Sequence, residues 1–260
     1  MIRLFIFYIN RTRILRTNID GLEISLPHPF GTFQRSPEQN RFIECDQKRA
    51  QSFYSKYGKD TTPEAIQFRT RAQTLLQKVK NLLDDLNVPF WLSSGTLLGQ
   101  YRQCDFITYS GDVDIGIFID DFCPEIIETL SVNGIPLIHK FGRINDSLEL
   151  SFYHESLKLD IFFFYKENDN YWNGGTQART GNKFKYNFSP FTLCWSEFIG
   201  LLIRIPCQTE EYLEANYGKE WAIPTKDWDW KSSPPNVRSN GHWKPEEWFE
   251  TIQMIPIIGT

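Results

Sequence analysis

Two aspartates interrupt an apolar run in the middle of the chain. The segment DVDIGIFID begins at Asp112 and places Asp114 two residues later, among Val, Ile and Phe. Successive residues of a β-strand point to opposite faces, so both carboxylates share one face and Val113, Ile115 and Ile117 share the other. A buried carboxylate without a partner is costly. The segment therefore predicts a strand with one core face and one face that is wet or that meets a positive charge.

The carboxylate pair favours a hard divalent cation. Residues two apart on a strand are roughly 7 Å apart at the backbone, so their side chains can converge on one ion, and without it their repulsion raises one pKa. Asp160 lies in the otherwise apolar run LKLDIFFFY and also needs a partner. If its strand neighbours the first, Asp160 is a third metal ligand or a general base. We expect Mg²⁺ or Mn²⁺ on Asp112, Asp114 and Asp160, although an isolated D-x-D is more often a solvated strand end.

Candidate phosphate contacts precede the pair. SGTLLGQYR places Ser94, Gly95 and Thr96 between a short buried strand and a helix start. Backbone N–H groups and the Thr hydroxyl can bind phosphate oxygens there, and Arg102 can bind a phosphate with two hydrogen bonds. Alone, the turn is as readily an ordinary helix cap and the arginine a surface residue. With the acids, the set indicates a nucleotidyltransferase fold and phosphoryl transfer. We assign these four residues to substrate binding and the three aspartates to catalysis.

Bulk properties limit the classes of function. With 260 residues, 41% of them hydrophobic, the chain suits one large globular unit or a domain with extensions. A net charge of -4 argues against a broad nucleic-acid surface. The five cysteines form no C-x-x-C pair, which disfavours a zinc site. The apolar run at the N-terminus is far shorter than the ~20 residues that span a bilayer. It indicates an edge strand or a weak signal sequence.

The order of predicted elements mixes helices and strands. Residues 1–60 read as irregular, with a strand candidate at GLEISLP and a loop at PHPFGTFQRSPEQN. A long helix begins at Thr62, with Pro and Glu next, and ends at Asn87. From Trp221 the chain is rich in Trp and Pro, which predicts an ordered extension packed on the core. We expect an α+β fold, a nucleotidyltransferase-like mixed sheet flanked by helices, with an irregular Trp/Pro-rich C-terminal extension.

The motifs resemble the LicD family. GTLLGQYR followed by DVDIGIF is similar to LicD proteins, and PFWLSSGTLLGQYRQCDFI, KLDIFFFY, WNGGTQARTGNKFKYNF and WDWKSSPPNV resemble the catalytic region of its fukutin branch. The resemblance covers roughly Asn18 to Trp248. It implies a LicD-like catalytic domain over residues 61–260 and a stem remnant over residues 1–60. The implied metal ligands are Asp112, Asp114 and Asp160, and the implied donor-phosphate contacts are Gly95, Thr96 and Arg102.

The resemblance also implies an activity. Proteins of this branch transfer ribitol 5-phosphate from CDP-ribitol to a sugar hydroxyl of the O-mannosyl glycan of α-dystroglycan and release CMP. The implied setting is the Golgi lumen, with an N-terminal membrane anchor that this chain does not show. The implied partner is the fukutin-related transferase, and no nucleic acid is expected. Two alternatives stay open, a metal-dependent nucleotide-sugar glycosyltransferase and a non-catalytic scaffold of a glycosylation complex.

Two further groups of residues are weaker candidates. Arg179, Lys183 and Lys185 lie in a polar stretch and could contact a phosphorylated acceptor, although solvated lysines are the commoner explanation. Trp228 and Trp230 could stack on a base or sugar, although core packing is commoner.

Overall fold

The structure of the chain is a computed structural model. It describes residues 41–256 in full and, before them, three strands at Phe5–Ile9, Thr12–Ile19 and Leu22–Pro27. Two compact units are present, one within residues 1–42 and one spanning residues 43–260. The loop predicted at residues 28–40 lies outside the described residues.

The N-terminal unit contains an antiparallel sheet. Strands β1 (Phe5–Ile9), β2 (Thr12–Ile19) and β3 (Leu22–Pro27) pair in the order β1-β2-β3. The strand expected at GLEISLP is confirmed as β3. The prediction of an otherwise irregular segment over residues 1–60 is wrong, because β1, β2 and a later helix also lie in it. Their Ile, Phe, Tyr and Thr content favours strands, a signal that the intervening arginines obscured.

Two helices begin the larger unit. Helix α1 (Gln47–Tyr57) begins after Asp46, whose carboxylate accepts hydrogen bonds from the backbone N–H groups of Lys48 and Arg49. Helix α2 (Pro63–Asp85) is the long helix that the sequence predicted, with Thr62 as its N-cap and proline in its first turn. Its buried stripe consists of Ala65, Ala72, Leu75, Leu76, Val79 and Leu83.

A nine-stranded sheet forms the centre of this unit. Its strands are β4 (Trp91–Leu92), β5 (Asp112–Phe118), β6 (Leu137–Arg143), β7 (Asp146–His154), β8 (Leu157–Glu167), β9 (Asn170–Gln177), β10 (Asn182–Phe188), β13 (Val237–His242) and β14 (Ile252–Met254). Seven follow the order β13-β10-β9-β8-β7-β6-β14, and β4 and β5 join through β8. The β5–β8 pair is parallel and the remaining pairs are antiparallel.

Short helices and a hairpin flank the sheet. Helix α3 (Ser94–Gln103) connects β4 to β5, and α4 (Glu125–Val132) connects β5 to β6. Strands β11 (Leu193–Phe198) and β12 (Leu201–Pro206) form a separate hairpin followed by α5 (Thr209–Tyr217). Disulfides join Cys45 to Cys104 and Cys194 to Cys207. With α6 (Trp248–Thr251), the described residues contain six helices, and the mixed α+β class is confirmed.

The alternation predicted for β5 positions the site. Val113, Ile115 and Ile117 are fully buried in the main core, to which the α2 stripe from Ala72 to Leu83 also belongs. Burial of each side chain contributes about 1.5–3 kcal/mol. The opposite face of β5 is therefore fixed toward the cleft described below.

The C-terminal extension is only partly irregular. Residues 218–236 are mostly loop, but β13 and β14 then add one strand to each end of the sheet order. Trp221 and Trp243 are buried as expected. Trp228 and Trp230, for which core packing was the commoner explanation, are instead 36% and 40% exposed. Among the described residues, no helix has both the length and the apolar character needed to cross a bilayer.

Candidate active site

The parallel pairing of β5 with β8 brings the three aspartates together. Asp114 is the register partner of Asp160, and Asp112 is the partner of Lys158. One carboxylate oxygen from each of Asp112, Asp114 and Asp160 lies within 4.8 Å of the other two. Asp114 and Asp160 are buried, so this is not a solvated acidic surface. The carboxylate trio, Asp112, Asp114 and Asp160, has the oxygen donors and spacing to hold a hard divalent cation.

The turn before α3 positions Asp114. The Gly95 N–H donates to Asp114 Oδ2 over 3.0 Å, and the Asp114 N–H donates to Thr96 Oγ1 over 2.8 Å. A side chain at position 95 would start only 3.3 Å from that carboxylate oxygen. Thr96 is buried beneath the turn. The Gly95 N–H and the Thr96 hydroxyl, which were expected to face phosphate, thus hold Asp114 in place. Their contact with substrate stays a prediction.

Asp160 is held by two neighbours that the sequence analysis missed. Ser151 on β7 donates its hydroxyl to Asp160 Oδ1 over 2.6 Å. Lys158 Nζ lies 2.9 Å from Asp160 Oδ2. The strand alternation contained the signal, because Lys158 lies two residues before Asp160 on the same face. Three carboxylates and one ammonium sum to two negative charges when all are ionised, which matches one divalent cation.

The carboxyl groups of the site are shifted toward their neutral forms. Burial, and then the neighbouring Asp160 carboxylate, raise the pKa of Asp112 to about 6. Burial and the other two carboxylates hold the pKa of Asp114 well above its usual range. Burial, followed by Asp160, raises the pKa of Glu149 to about 8. A cation bound here would lower all three values, because it stabilises the charged forms.

A cleft of about 610 Å³ opens over the trio. Of the predicted substrate-binding residues, Ser94, Gly95 and Arg102 line it, whereas Thr96 does not. Ser94 has a left-handed backbone with φ of 43° at the start of α3. Such conformations cost energy in a residue other than glycine and recur at functional sites.

Arg102 is a buried cation at the edge of this cleft. Its side chain is 2% exposed, its Nε and Nη2 atoms donate to Gln103 Oε1, and its guanidinium lies 4.6 Å from the centre of the Phe53 ring. Burial lowers its pKa, opposed by the nearby Tyr109 and Tyr217. Within residues 41–256 no carboxylate forms an ion pair with it. A buried guanidinium lacking an anionic partner is suited to bind a phosphate.

Comparisons with known proteins place this site in a family. A profile described as LicD/FKTN/FKRP, nucleotidyltransferase domain, matches residues 87–208 and so contains the trio, and a profile for the fukutin N-terminal region matches residues 7–73. Ribitol-5-phosphate transferase FKTN is 55% identical over 246 residues in Mus musculus, covering 94% of this chain and 53% of that protein. The Homo sapiens protein is 54% identical over the same share of each chain.

The chain is a homologue of fukutin with a LicD-type nucleotidyltransferase domain. It is also 30% identical to an uncharacterised Caenorhabditis elegans protein over 221 residues, 80% of this chain and 54% of that protein. The chain therefore spans about half the length of the curated relatives it matches.

The tryptophans of this fukutin homologue line the cleft. Trp228 contacts the Tyr217 ring at 4.9 Å between centroids, and Trp230 meets Phe184 edge-on at 5.3 Å. Both keep exposed surface and lie on the cleft wall. They are available for stacking, the less common of the two explanations that the sequence left open.

The basic residues of the polar stretch already have partners. Lys183 forms an ion pair with Asp146 and lies 4.0 Å from the centre of the Trp243 ring. Lys185 lies 2.6 Å from Glu167 and 4.5 Å from the centre of the Trp172 ring. Arg179 is exposed in the turn between β9 and β10. The two lysines are thus neutralised by acids of the same sheet, and an acceptor-binding role for the three residues stays a prediction.

Proposed function

We propose that this chain transfers ribitol 5-phosphate from CDP-ribitol to a sugar hydroxyl and releases CMP. The observation that carries the proposal is the buried carboxylate trio inside the segment matched by the LicD profile. Support comes from relatives named ribitol-5-phosphate transferase FKTN, which are 54–55% identical to the chain. The domain then has the nucleotidyltransferase-type arrangement that the sequence predicted over residues 61–260.

Asp112, Asp114 and Asp160 would hold Mg²⁺ or Mn²⁺. Three carboxylate oxygens within 4.8 Å of one another suit these oxygen-preferring ions. When bound, such an ion supplies charge stabilisation for the phosphate undergoing transfer. Gly95 and Thr96 orient Asp114, while Ser151 and Lys158 orient Asp160, and these contacts fix the ligands in advance.

Arg102 and the turn at Ser94 would hold the donor diphosphate. The guanidinium is buried on the cleft wall without a carboxylate partner, so a phosphate oxygen would satisfy it. Lys158, the cross-strand partner of Asp112, also lines the cleft and supplies a second positive charge there. Arg102 and Lys158 would offset the negative charge of the donor phosphates without a contact to the nucleobase.

Asp112 is the best-placed group to accept the proton of the attacking hydroxyl. Both carboxylate oxygens of Asp160 already have partners, Ser151 and Lys158, which suits a ligand better than a base. Asp112 is less buried than the other two carboxylates and lines the cleft, where an attacking hydroxyl would arrive. One of its oxygens can bind the ion while the other receives the proton.

The resemblance to fukutin sets the biological context of the proposal. The acceptor would be the O-mannosyl glycan of α-dystroglycan, the compartment the Golgi lumen, and the partner the fukutin-related transferase. The two disulfides support an oxidising compartment, because such bonds rarely persist in the cytosol.

Mass spectrometry of an acceptor glycopeptide tests the proposal. The full chain is incubated with Mg²⁺ or Mn²⁺, an O-mannosyl glycopeptide of the α-dystroglycan type, and CDP-ribitol, CDP-glycerol or UDP-sugars in separate reactions. We expect the mass of one ribitol phosphate to be added only with CDP-ribitol, and this addition to disappear with a chelator and in Asp112→Asn.

The other outcomes distinguish the alternatives. Addition of a hexose from a UDP-sugar would establish a glycosyltransferase. Absence of any product in the presence of metal and the related transferase would establish a scaffold. Normal turnover of Asp112→Asn would remove the trio from the mechanism.

A further inference from the structure

The cleft extends past the carboxylate trio along a second wall. This wall is formed by Glu149 on β7, Asn173 on β9 and Tyr186 on β10, all of which line the cleft. Asn173 and Tyr186 are register partners. Strand β9 comes very close to β7 at Gly174, where a side chain would start 2.3 Å from the Ser147 side chain. The glycine therefore lets Asn173 and Glu149 share one wall.

Asn173 is an unsatisfied polar group in this wall. It is 7% exposed, and its Oδ1 atom is buried without a hydrogen-bond partner among the described residues. An unpaired buried acceptor is costly, so nearly all such atoms in folded proteins are paired. A ligand hydroxyl reaching the Asn173 amide from the cleft would supply the missing donor.

Trp230 forms a fixed apolar surface beside this wall. Its ring lies against Gly175, where a side chain would start 3.2 Å from Trp230 Cζ3, and its backbone carbonyl accepts a 2.8 Å hydrogen bond from the Tyr186 hydroxyl. Phe184 packs edge-on against it. The indole nevertheless remains 40% exposed. A side chain held this firmly with so much open surface is pre-organised to pack against a ligand.

We propose that Glu149, Asn173 and Trp230 form a binding compartment for a polyhydroxylated carbon chain or sugar ring, next to the carboxylate trio. Glu149 and Asn173 would exchange hydrogen bonds with hydroxyl groups, and the indole would pack against C–H groups. The inference rests on the proposed function and adds the part of the cleft that receives a polyol. The ribitol of the donor and the acceptor sugar share this chemistry.

The charges of the compartment distinguish it from a phosphate site. Glu149 lies two strands from β5, across β8, whereas Arg102 lies on α3, which precedes β5. Phosphate groups would be attracted to Arg102, whereas the carboxyl group of Glu149 offers them no positive charge. An uncharged polyol needs hydrogen-bonding partners and no cation, so the two ends of the cleft suit the two chemically different parts of a nucleoside-diphosphate polyol.

Calorimetry and kinetics with single variants test the compartment. In the presence of Mg²⁺, the affinities of the full chain for CDP-ribitol and CMP are compared among the unaltered protein, Asn173→Ala and Trp230→Ala, together with the KM for the acceptor glycopeptide. We expect each variant either to bind CDP-ribitol about tenfold or more weakly or to show an acceptor KM about tenfold or more higher. The affinity for CMP should stay unchanged. Lower affinity for CDP-ribitol assigns the compartment to the donor polyol. A higher KM for the glycopeptide assigns it to the acceptor.

Two controls separate this inference from trivial causes and from the proposed function. Asn170→Ala, an exposed position on the same strand, should behave as the unaltered protein. Trp230→Phe keeps an apolar ring and should retain part of the affinity if Trp230→Ala fails to fold. Unchanged CDP-ribitol affinity and acceptor KM in Asn173→Ala and Trp230→Phe would overturn the compartment alone. If the unaltered chain neither binds CDP-ribitol nor modifies the acceptor, the proposed function fails, and the compartment fails with it.

Discussion

Asp114 and Asp160 are direct register partners across the parallel strands β5 and β8. Neighbouring strands lie about 4.8 Å apart, so the two buried carboxylates project side by side from one face of the sheet. Lys158 offsets only one of the resulting charges. The centre is therefore electrostatically strained without a cation and relieved with one, and this relationship determines the first two predictions.

Asp114→Asn should separate stability from activity. The variant removes a carboxyl group that burial and the other two carboxylates force toward its neutral form, a cost that folding no longer has to meet, so its free energy of unfolding without metal should rise by about 1–3 kcal/mol. Turnover should fall by about 100-fold or more, because a fixed ligand is lost. Thermal unfolding with and without Mg²⁺ measures the first effect and the glycopeptide reaction the second. Asp120→Asn, at an exposed position, is the matched control. A metal-free variant that is less stable than the unaltered chain would contradict this account.

The stability of the metal-free chain should fall as pH rises from about 4 to 8. The pKa of Asp112 is 3.8 for the unperturbed group and about 6 in the folded chain. Because the folded state binds this proton more tightly, the resulting stability is fully present below about pH 4 and is lost as pH rises through 6. The shift corresponds to roughly 3 kcal/mol. Glu149, with a pKa of about 8, extends the trend to higher pH.

Saturating Mg²⁺ should oppose this pH dependence. Metal binding requires ionised carboxylates, so the Mg²⁺-induced rise in melting temperature should grow with pH across the same range. Melting curves of the unaltered chain and of Asp112→Asn, each with and without Mg²⁺, isolate the contribution of this residue. Parallel curves for the two proteins at every pH would show that Asp112 does not titrate as described.

Replacement of Arg102 should weaken nucleotide binding without unfolding the chain. Arg102→Met removes a buried cation that has no carboxylate partner in the described part of the chain, so the free energy of unfolding should stay the same or rise. Affinity for CDP should fall about tenfold or more, and Arg102→Lys should restore it only partly because the two-point contact is lost. Calorimetry with CDP reports the binding change. Arg238→Met, at an exposed position of β13, provides the control.

The two disulfides should differ in their effect on the cleft. Cys104 is the C-cap residue of α3, the helix that carries Arg102, whereas Cys194–Cys207 closes the β11–β12 hairpin. By chain entropy, loss of the Cys45–Cys104 bond, with a separation of 59 residues, should cost about 4 kcal/mol, and loss of the other, with a separation of 13, about 3. Cys104→Ser should also weaken CDP binding, whereas Cys194→Ser should not. Equal CDP affinities in the two variants would disprove the link to α3.

The parts of the site that could be predicted from the sequence are those that lie within one element. The alternation of DVDIGIF showed which face of β5 carries acids, and the capping residue and apolar spacing of α2 located its start and its buried stripe. Asp160 was identified because an isolated acid in an apolar strand needs a partner. Each inference required only local geometry.

The missed features depend on contacts between distant elements. Strand alternation cannot show that β5 pairs with β8 in parallel, nor that β7 pairs with β8 so that Ser151 reaches Asp160. Tryptophan is a residue type usually found in a core, yet Trp228 and Trp230 line a cleft that only the folded sheet creates. The pairing of four of the five cysteines likewise required three-dimensional proximity.

The parallel contact between β5 and β8 also determines when the ion site can form during folding. Helix α4 and strands β6 and β7 all lie between these two strands in the chain, so the contact is among those that close a long loop. Substitutions in β6 or β7 that slow or weaken this closure should therefore reduce activity without touching any group in the cleft. Because a divalent ion would bind only after closure, added Mg²⁺ should rescue such variants by mass action and leave ligand variants uncorrected.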